Sequence, residues 1–260
     1  IPHAASGASA LGLNPFSGPA VVSASLATLN LLLVLTFFPE TLPPSGRAAD
    51  ARTGFLGLLR APAGGVRGAS FANLAYQVAF TGMENTVVFL TAALFLFGPH
   101  DNAWLFLSNG LCLVLAQGLA GRVLVPRMGE RGVATLGFVT GAIALAGIAC
   151  IPYPAAGAPP AGHLITPFFA ATGLLAFSTG LILPSLSSLV SLYSPPEEQG
   201  RNLGILRSAG ALARIIGPVT AAYVFFHTGS HQGVYLGGAL LLIPGLLLLR
   251  SLPDPRRQAR

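Results

Sequence analysis

Seven long apolar blocks, separated by short polar connections, constrain this 260-residue chain more than any other feature of its sequence. A helix needs about 20 mostly apolar residues to cross roughly 30 Å of hydrocarbon, and each block is about that long or longer. The blocks are continuously apolar and lack the alternating pattern of barrel strands, so we expect helices. They cover residues 20–38, 71–97, 103–121, 133–151, 164–192, 203–226 and 233–249.

The charged residues are too few for a water-soluble protein of this size. Only 8% of the residues are charged, against about 25% in an average soluble domain. The sequence therefore predicts an all-α, polytopic membrane helix bundle with seven transmembrane helices and the lipid bilayer as its environment. The 14 basic residues outnumber the 8 acidic ones, but they are scattered between apolar blocks, so a nucleic-acid partner is not expected.

The arginines lie almost entirely on one side of the predicted helices. Thirteen of them follow the first, third, fifth or seventh block, and loops rich in arginine stay in the cytosol. We therefore expect a cytosolic C-terminus and a first helix that enters from outside, in a plasma or an organelle membrane. These arginines are Arg47, Arg52, Arg60, Arg67, Arg122, Arg127, Arg131, Arg201, Arg207, Arg250, Arg256, Arg257 and Arg260.

The longest connection divides the chain. Residues 39–70 are rich in Pro, Gly, Ala and Arg without a sustained apolar period, which is typical of a flexible cytosolic linker. We accordingly expect an extracytosolic segment at residues 1–19, a first helix at 20–38, the linker, a six-helix unit at 71–250 and a cytosolic tail at 251–260.

A short turn between the third and fourth blocks has a distinctive composition. Gly121 and Gly129 allow backbone angles closed to other residues, and Pro126 fixes one torsion. Glu130 can pair with a neighbouring arginine or a helix N-terminus, forming a latch that a conformational change would break. The alternative is an ordinary turn on the positive-inside side. The residues expected in the loop are Gly121, Arg122, Pro126, Arg127, Gly129, Glu130 and Arg131.

This turn and four other segments together resemble a known family. The resemblance is to the C-terminal half of a major facilitator superfamily transporter, and more narrowly to its tetracycline-transporter-like, drug:proton antiporter-like branch. It implies that the first block is equivalent to helix six of twelve and that an N-terminal half is missing. The five segments are Pro39-Glu40-Thr41, the Gly-x-x-x-x-Pro-Arg-x-Gly-Glu-Arg turn from Gly121, the run from Ser194 to Gly204, the run from Leu206 to Arg214 followed by Gly217-Pro218, and Gly82-Met83-Glu84-Asn85-Thr86.

The second block carries a polar stripe. Its members recur at helical spacing and occupy a sector of about 80°, so we expect the stripe to face a water-filled cavity or the bundle interior. An acid such as Glu84 near mid-membrane costs roughly 2.5–3.5 kcal/mol, which favours proton or substrate coupling over the alternative, a structural hydrogen bond. The stripe consists of Asn73, Gln77, Thr81, Glu84 and Thr91.

Arg214 is the one arginine outside the cytosolic set. We expect it to be an inward-facing cation for an anionic substrate group or for Glu84; the alternative is that it snorkels to the cytosolic interface. Pro184 interrupts the fifth block and predicts a hinge. Gly217 and Pro218 belong to the small-residue side of the sixth block, which favours close helix packing.

The leading functional hypothesis is a secondary transporter of small organic solutes, drug-like or anionic, that works by alternating access, with protons as candidate coupling ions. The alternatives are a seven-helix receptor, a membrane enzyme and a non-transporting membrane fragment. The over-30-residue first cytosolic connection argues against a receptor. The sequence offers no catalytic pair or metal cluster at membrane depth, so neither an enzyme nor a cofactor is expected.

Overall fold

The computed structural model of the protein describes residues 17–38, 64–153 and 162–254. The chain divides into two compact units, Ile1–Ala51 and Arg52–Arg260, and each is described by itself. Every regular element in the described ranges is helical, as the apolar blocks predict. Most of the predicted linker, at 39–63, and the last six residues of the predicted tail, at 255–260, lie outside these ranges.

The first unit contributes one described helix, α1, over Ser17–Phe37. It corresponds to the first apolar block. Its polar side chains bond within the helix, since Ser25 and Thr28 donate to the carbonyl oxygens of Val21 and Ala24 at 2.9 and 2.8 Å. Such intrahelical bonds satisfy hydroxyl groups in an apolar environment.

The second unit contains six α-helices in its described part. Because α2 begins six residues before the predicted start of the second block, the linker expectation of 39–70 extends too far into the helix. The helices are α2 (Gly65–Phe95), α3 (Pro99–Leu119), α4 (Val125–Ala149), α5 (Ile165–Leu192), α6 (Gln199–Ala222) and α7 (His231–Ser251).

Six helical stretches in the described ranges are long and apolar enough to cross a membrane. The longest, Pro99–Ala149, has 51 residues and contains both α3 and α4. At 1.5 Å per residue, a straight helix of that length would measure about 75 Å, more than twice the thickness of the hydrocarbon core.

The contacts of α5 show that α3 and α4 run in opposite directions. On α5, Gly173 lies against Cys112 of α3 and Gly180 lies against Ala116 of α3. Residue numbers increase in the same direction on both helices, so α3 and α5 are parallel. On α4, Gly137 lies against Ile182 whereas Gly147 lies against Ala171, so α4 and α5 are antiparallel. The chain therefore reverses direction between α3 and α4.

This reversal takes place at a glycine. Gly129 has φ 76° and ψ 167° inside the stretch assigned to α4, a combination that only glycine adopts readily. The expectation for Gly121 was wrong, because Gly121 lies in a π-helical turn, Ala120–Leu124, and has no positive φ. Pro126 occupies the first turn of α4, where its missing N–H is tolerated.

The remaining helices alternate in the same way. Asn73 and Gly82 of α2 lie beside Gly210 and Ala221 of α6, respectively, so these two helices are parallel. Early in α2, Gly68 faces Leu252 just past the end of α7. Near its other end, Thr86 of α2 bonds Tyr235 at the start of α7, with 3.2 Å between the hydroxyl oxygens. Helices α2 and α7 are therefore antiparallel.

Candidate functional site

The parallel helices α2 and α6 come close to each other where α6 carries small residues. Gly210 has no Cβ, and one built there would lie 3.4 Å from the amide nitrogens of both Asn73 and Gln77. Asn73 Nδ2 donates to the Leu206 carbonyl oxygen at 3.0 Å. Glycine on α6 thus lets both amides of α2 approach that helix, and Asn73 bonds its backbone.

A cavity of about 400 Å³ opens beside this contact. Its volume falls within the range of small-molecule sites, about 300–1,000 Å³. Four helices supply its wall. The lining residues are Asn73 and Gln77 of α2, Gln117 of α3, Leu183, Pro184 and Ser187 of α5, and Leu206, Arg207, Gly210, Ala211 and Arg214 of α6.

The cavity wall is positively charged. Arg207 and Arg214 are both solvent-exposed and lie seven residues apart, which is about 10 Å along a helix. None of the described residues that line the cavity is acidic. With the side-chain amides of Asn73, Gln77 and Gln117 nearby, the wall offers charged and neutral donors to an anionic group.

The structure brings three of the five predicted coupling residues together and leaves Glu84 and Thr81 outside the cavity lining. Asn73, Gln77 and Arg214 line the cavity. Glu84 is exposed on α2 and does not line this cavity, and its inward orientation stays a prediction. In the described ranges Glu84 and Arg214 form no ion pair.

The crossing of α2 and α6 explains the position of Glu84. Further along α2, the contact with α6 passes through Val78 and Gly82, which lie against Gly217. Gly82 is about 160° round the helix from Glu84. The contact with α6 therefore moves around α2 along its length, from Asn73 and Gln77 to Val78 and Gly82, and Glu84 lies on the other side of α2 from it.

Thr81 and Gly217 form the tight part of this helix pair. Thr81 is buried and donates to the carbonyl oxygens of Gln77 and Ala213 at 2.7 and 3.3 Å. A Cβ on Gly217 would lie 2.2 Å from Thr81 Oγ1 and 2.7 Å from the Val78 carbonyl oxygen. Pro218 follows within α6 and is half-buried.

Thr91, the last residue of the polar stripe, is hydrogen-bonded to a neighbouring helix. Thr91 donates to Asn102 Oδ1 of α3 at 2.8 Å, and Asn102 in turn donates to the Gly98 carbonyl oxygen at 3.0 Å. These bonds tie the end of α2 to the start of α3 and leave Thr91 outside the cavity.

A second cavity, of about 360 Å³, adjoins the first through the shared residues Gln117 and Pro184. It also reaches the turn between α3 and α4, because Gly121 and Glu130 line it. In the described part of the chain Glu130 has no ion pair. The turn therefore lies directly behind the wall of the main cavity.

The other residues of the turn divide between solvent and α7. Arg122 and Arg127 are exposed, whereas Arg131 Nη2 donates to the Arg250 carbonyl oxygen at the end of α7. The observed bond between the start of α4 and the end of α7 is thus made by an arginine to a backbone carbonyl, and not by Glu130.

The sequence patterns missed Gln117 and Ser187, and they placed Arg207 both in the cytosolic set and on the same face of the sixth block as Arg214. Gln117 lies in a mostly apolar block whose nearest polar residues, Ser108 and Asn109, are eight or nine positions earlier, so the block shows no continuous polar stripe. Arg207 precedes Arg214 by two helical turns, and this spacing predicts that both side chains lie on one face of the helix. The described residues contain no group of His, Cys, Asp or Glu that could hold a metal ion.

An all-helical bundle whose solute-sized cavity has a positive wall has the features of a multi-pass membrane transport protein. The family model of the Major Facilitator Superfamily matches residues 71–260. The chain belongs to this superfamily, as the motifs predict, and this membership disfavours the receptor alternative.

Three relatives illustrate the likeness. Major facilitator superfamily domain-containing protein 10 from Bos taurus is 32% identical over 253 residues, covering 89% of this chain and 53% of the relative. Tetracycline resistance protein, class E, from Escherichia coli is 27% identical over 164 residues, covering 60% of this chain and 38% of the relative. The crystal structure of the human organic anion transporter MFSD10 (TETRAN) matches with a TM-score of 0.75 and 27% identity, covering 91% of this chain and 57% of that one. The chain spans about half the length of the curated relatives it matches.

Proposed function

We propose that this chain forms the C-terminal half of a secondary transporter that moves small organic anions by alternating access. The observation that carries the proposal is the cavity among α2, α3, α5 and α6, which has two arginines and no acid among its described lining residues. The human structural relative is an organic anion transporter, which agrees with that charge. Because the chain covers about half of its relatives, we propose that an N-terminal six-helix half closes the other side of the pathway.

We propose seven membrane crossings, with the C-terminus in the cytosol. Support for the count comes from the reversal at Gly129, which divides the stretch Pro99–Ala149 into two antiparallel helices. Support for the orientation comes from the arginines, because helices that alternate in direction bring Arg67, Arg122 and Arg131 to one end.

In this proposal the polar residues have separate roles. Arg207 and Arg214 bind the anionic group, and Asn73, Gln77 and Gln117 orient the solute through hydrogen bonds. Glu84 lies on the exposed face of α2, where it exchanges the coupling proton. The activity is transport without chemical change of the solute, so no catalytic residue is assigned.

The turn between α3 and α4 is proposed as the cytosolic gate. The bond from Arg131 to the Arg250 carbonyl oxygen supports this role because it joins the ends of α4 and α7. Pro184 supports it as well, since it lines both cavities and interrupts the hydrogen bonding of α5.

Uptake of an aromatic sulfonate tests the anion site, with the chain expressed together with a matching N-terminal half. Arg214→Gln removes one charge-assisted hydrogen bond, worth about 1.5–3 kcal/mol, so we expect KM to rise about 10- to 100-fold. Arg201→Gln is the matched control, because Arg201 pairs with Glu198 at 3.7 Å and does not line the cavity. An unchanged KM in Arg214→Gln would contradict the proposal.

A further inference from the structure

A groove of about 490 Å³ lies between α4 and α7, apart from the proposed solute cavity. Its lining residues are Met128, Arg131, Gly132, Thr135, Leu136, Val139, Arg250 and Asp254. None of these residues lines the solute cavity. Charged side chains lie at one end of the groove, and small or apolar residues line the rest.

The residues of α4 give the groove its direction. Arg131, Thr135 and Val139 recur every four residues, so they line one face of the helix. From Arg131 to Val139 the helix rises about 12 Å. The groove therefore runs from an arginine near the end of the helix pair toward the middle of the apolar stretch.

The groove opens onto an apolar surface. On α7, Leu240, Ile243 and Leu247 are 56%, 48% and 60% exposed, and Ile143 of α4 is 57% exposed. In a protein that resides in a bilayer, large apolar side chains with this exposure face acyl chains. An acyl chain that enters the groove thus continues along a surface of the same character.

The charged end favours an anion. Arg131 and Arg250 supply two guanidinium groups against the carboxylate of Asp254, so the positive charges are in excess. Arg131 Nη2 donates to the Arg250 carbonyl oxygen, which fixes one edge of the guanidinium and leaves other N–H groups to donate. Guanidinium groups bind phosphate oxygens through paired hydrogen bonds.

Tyr193 supports this end of the groove without adding negative charge. Its hydroxyl donates to the Pro253 carbonyl oxygen at 2.6 Å and holds the chain that follows α7. Burial raises the pKa of Tyr193 to about 12. A phenol is neutral at pH 7 even at its ordinary pKa of about 10, so Tyr193 leaves the excess of positive charge unchanged.

We propose that this groove binds an anionic phospholipid, with its phosphate at Arg131 and Arg250 and one acyl chain along Thr135, Leu136 and Val139. The combination of a positive end and an apolar groove fits a lipid better than free phosphate, which would use the arginines alone. Basic recesses between transmembrane helices bind anionic headgroups in this manner. The lipid tethers α4 to α7 next to the bond that joins their ends.

The test is lipid retention by the purified chain, reconstituted in phosphatidylcholine nanodiscs with a minority of phosphatidylglycerol and then extracted for native mass spectrometry. We expect retained phosphatidylglycerol to exceed its share of the bilayer. Arg250→Gln should lower that retention about fivefold, the effect of one basic residue near an anionic surface. Arg122→Gln is the matched control, because Arg122 is exposed at the same end and lies outside the groove.

A second variant examines the acyl chain without changing charge. Val139→Phe fills the groove, so retention of phosphatidylglycerol should also fall, while circular dichroism shows an intact helical fold. Wild-type retention in both Arg250→Gln and Val139→Phe would overturn the proposal, as would an equal loss in Arg122→Gln. Inorganic phosphate that displaces the retained lipid at millimolar concentration would assign the arginines to free phosphate instead. Since the readout is lipid retention, it can fail while anion transport holds.

Discussion

Arg207 and Arg214 lie on one helix with small residues between them, and this arrangement decides what the cavity can bind. Gly210 and Ala211 are small and leave space between the two arginine side chains, so both guanidinium groups can reach a solute from the same side. A single exposed arginine is screened by water and salt. Two arginines in a recess without a lining acid favour an anion more strongly, because each charge adds to the potential within the cavity.

Glu84 and Arg214 are predicted to act separately, because Glu84 does not line the cavity. Replacing Glu84 by Gln removes a proton-binding group, so uptake should lose its dependence on pH while KM for the anion changes less than about twofold. The measurement is the pH profile of uptake at several solute concentrations. Glu197→Gln is the control, since Glu197 is an exposed acid in the connection before α6. A rise in KM comparable with that of Arg214→Gln would place Glu84 at the solute.

The site residues show how far spacing within one helix carries a prediction. Asn73 and Gln77 could be predicted because they recur on one face of α2, and both line the cavity. Gln117 could not, because it comes from another helix, where the nearest polar residues, Ser108 and Asn109, are eight or nine positions earlier. Glu84 lies on the same face of α2 as Asn73 and Gln77. The crossing angle between α2 and α6 depends on both helices, so the residue spacing within either helix does not predict it.

At the scale of elements, the contact between α2 and α6 depends on Gly217. A Cβ there would meet the backbone of α2, with 2.7 Å to the Val78 carbonyl oxygen, so the helices must separate. We expect Gly217→Ala to destabilise the folded chain by about 1–3 kcal/mol, seen as a lower Tm in detergent. Gly204→Ala on the same helix has nothing within 4 Å of its new Cβ and should keep or raise Tm. Equal Tm values for the two variants would contradict this packing.

The two glycines of the turn between α3 and α4 are predicted to differ. Gly129→Ala forces a side chain into φ 76°, ψ 167°, which costs about 1–3 kcal/mol. Gly121→Ala falls in helical backbone with open space around its Cβ, so the change should be neutral or stabilising. Thermal unfolding of both variants checks this, and a greater loss in Gly121→Ala would be inconsistent with a reversal at Gly129.

The elements themselves follow from the sequence more directly than their ends do. Each apolar block became a helix, because a continuous run of about 20 apolar residues fixes the type of element. The start of α2 at Gly65 was missed because residues 65–70 are mostly small or polar. Tertiary packing buries part of this segment. A Cβ added to Gly68 would lie 2.6 Å from the side chain of Leu252, just past the end of α7. Such tertiary burial leaves no periodic signal in the sequence.

At the scale of the whole molecule, helices of alternating direction form a bundle whose cavity lies among α2, α3, α5 and α6. Helices α4 and α7 lie outside that set, and their exposed apolar side chains suit a lipid-facing surface. The fourth and seventh apolar blocks, which form these two helices, carry few polar residues, as a lipid-facing position requires. The pathway proposed here needs both halves, because the exposed cavity wall of α6 has to be covered when the transporter changes its access.

Solute protection of a single cysteine tests the central claim, that this cavity binds the anion. Ala211→Cys places a thiol in the cavity wall, in a chain whose Cys112 and Cys150 are replaced by serine and which is expressed with its N-terminal half. An aromatic sulfonate should slow labelling of that thiol by a maleimide, whereas an aromatic ammonium of equal size should not. Gly204→Cys, on the same helix outside the cavity, should label at the same rate with either solute. Labelling of Ala211→Cys at an unchanged rate in saturating sulfonate would contradict the account.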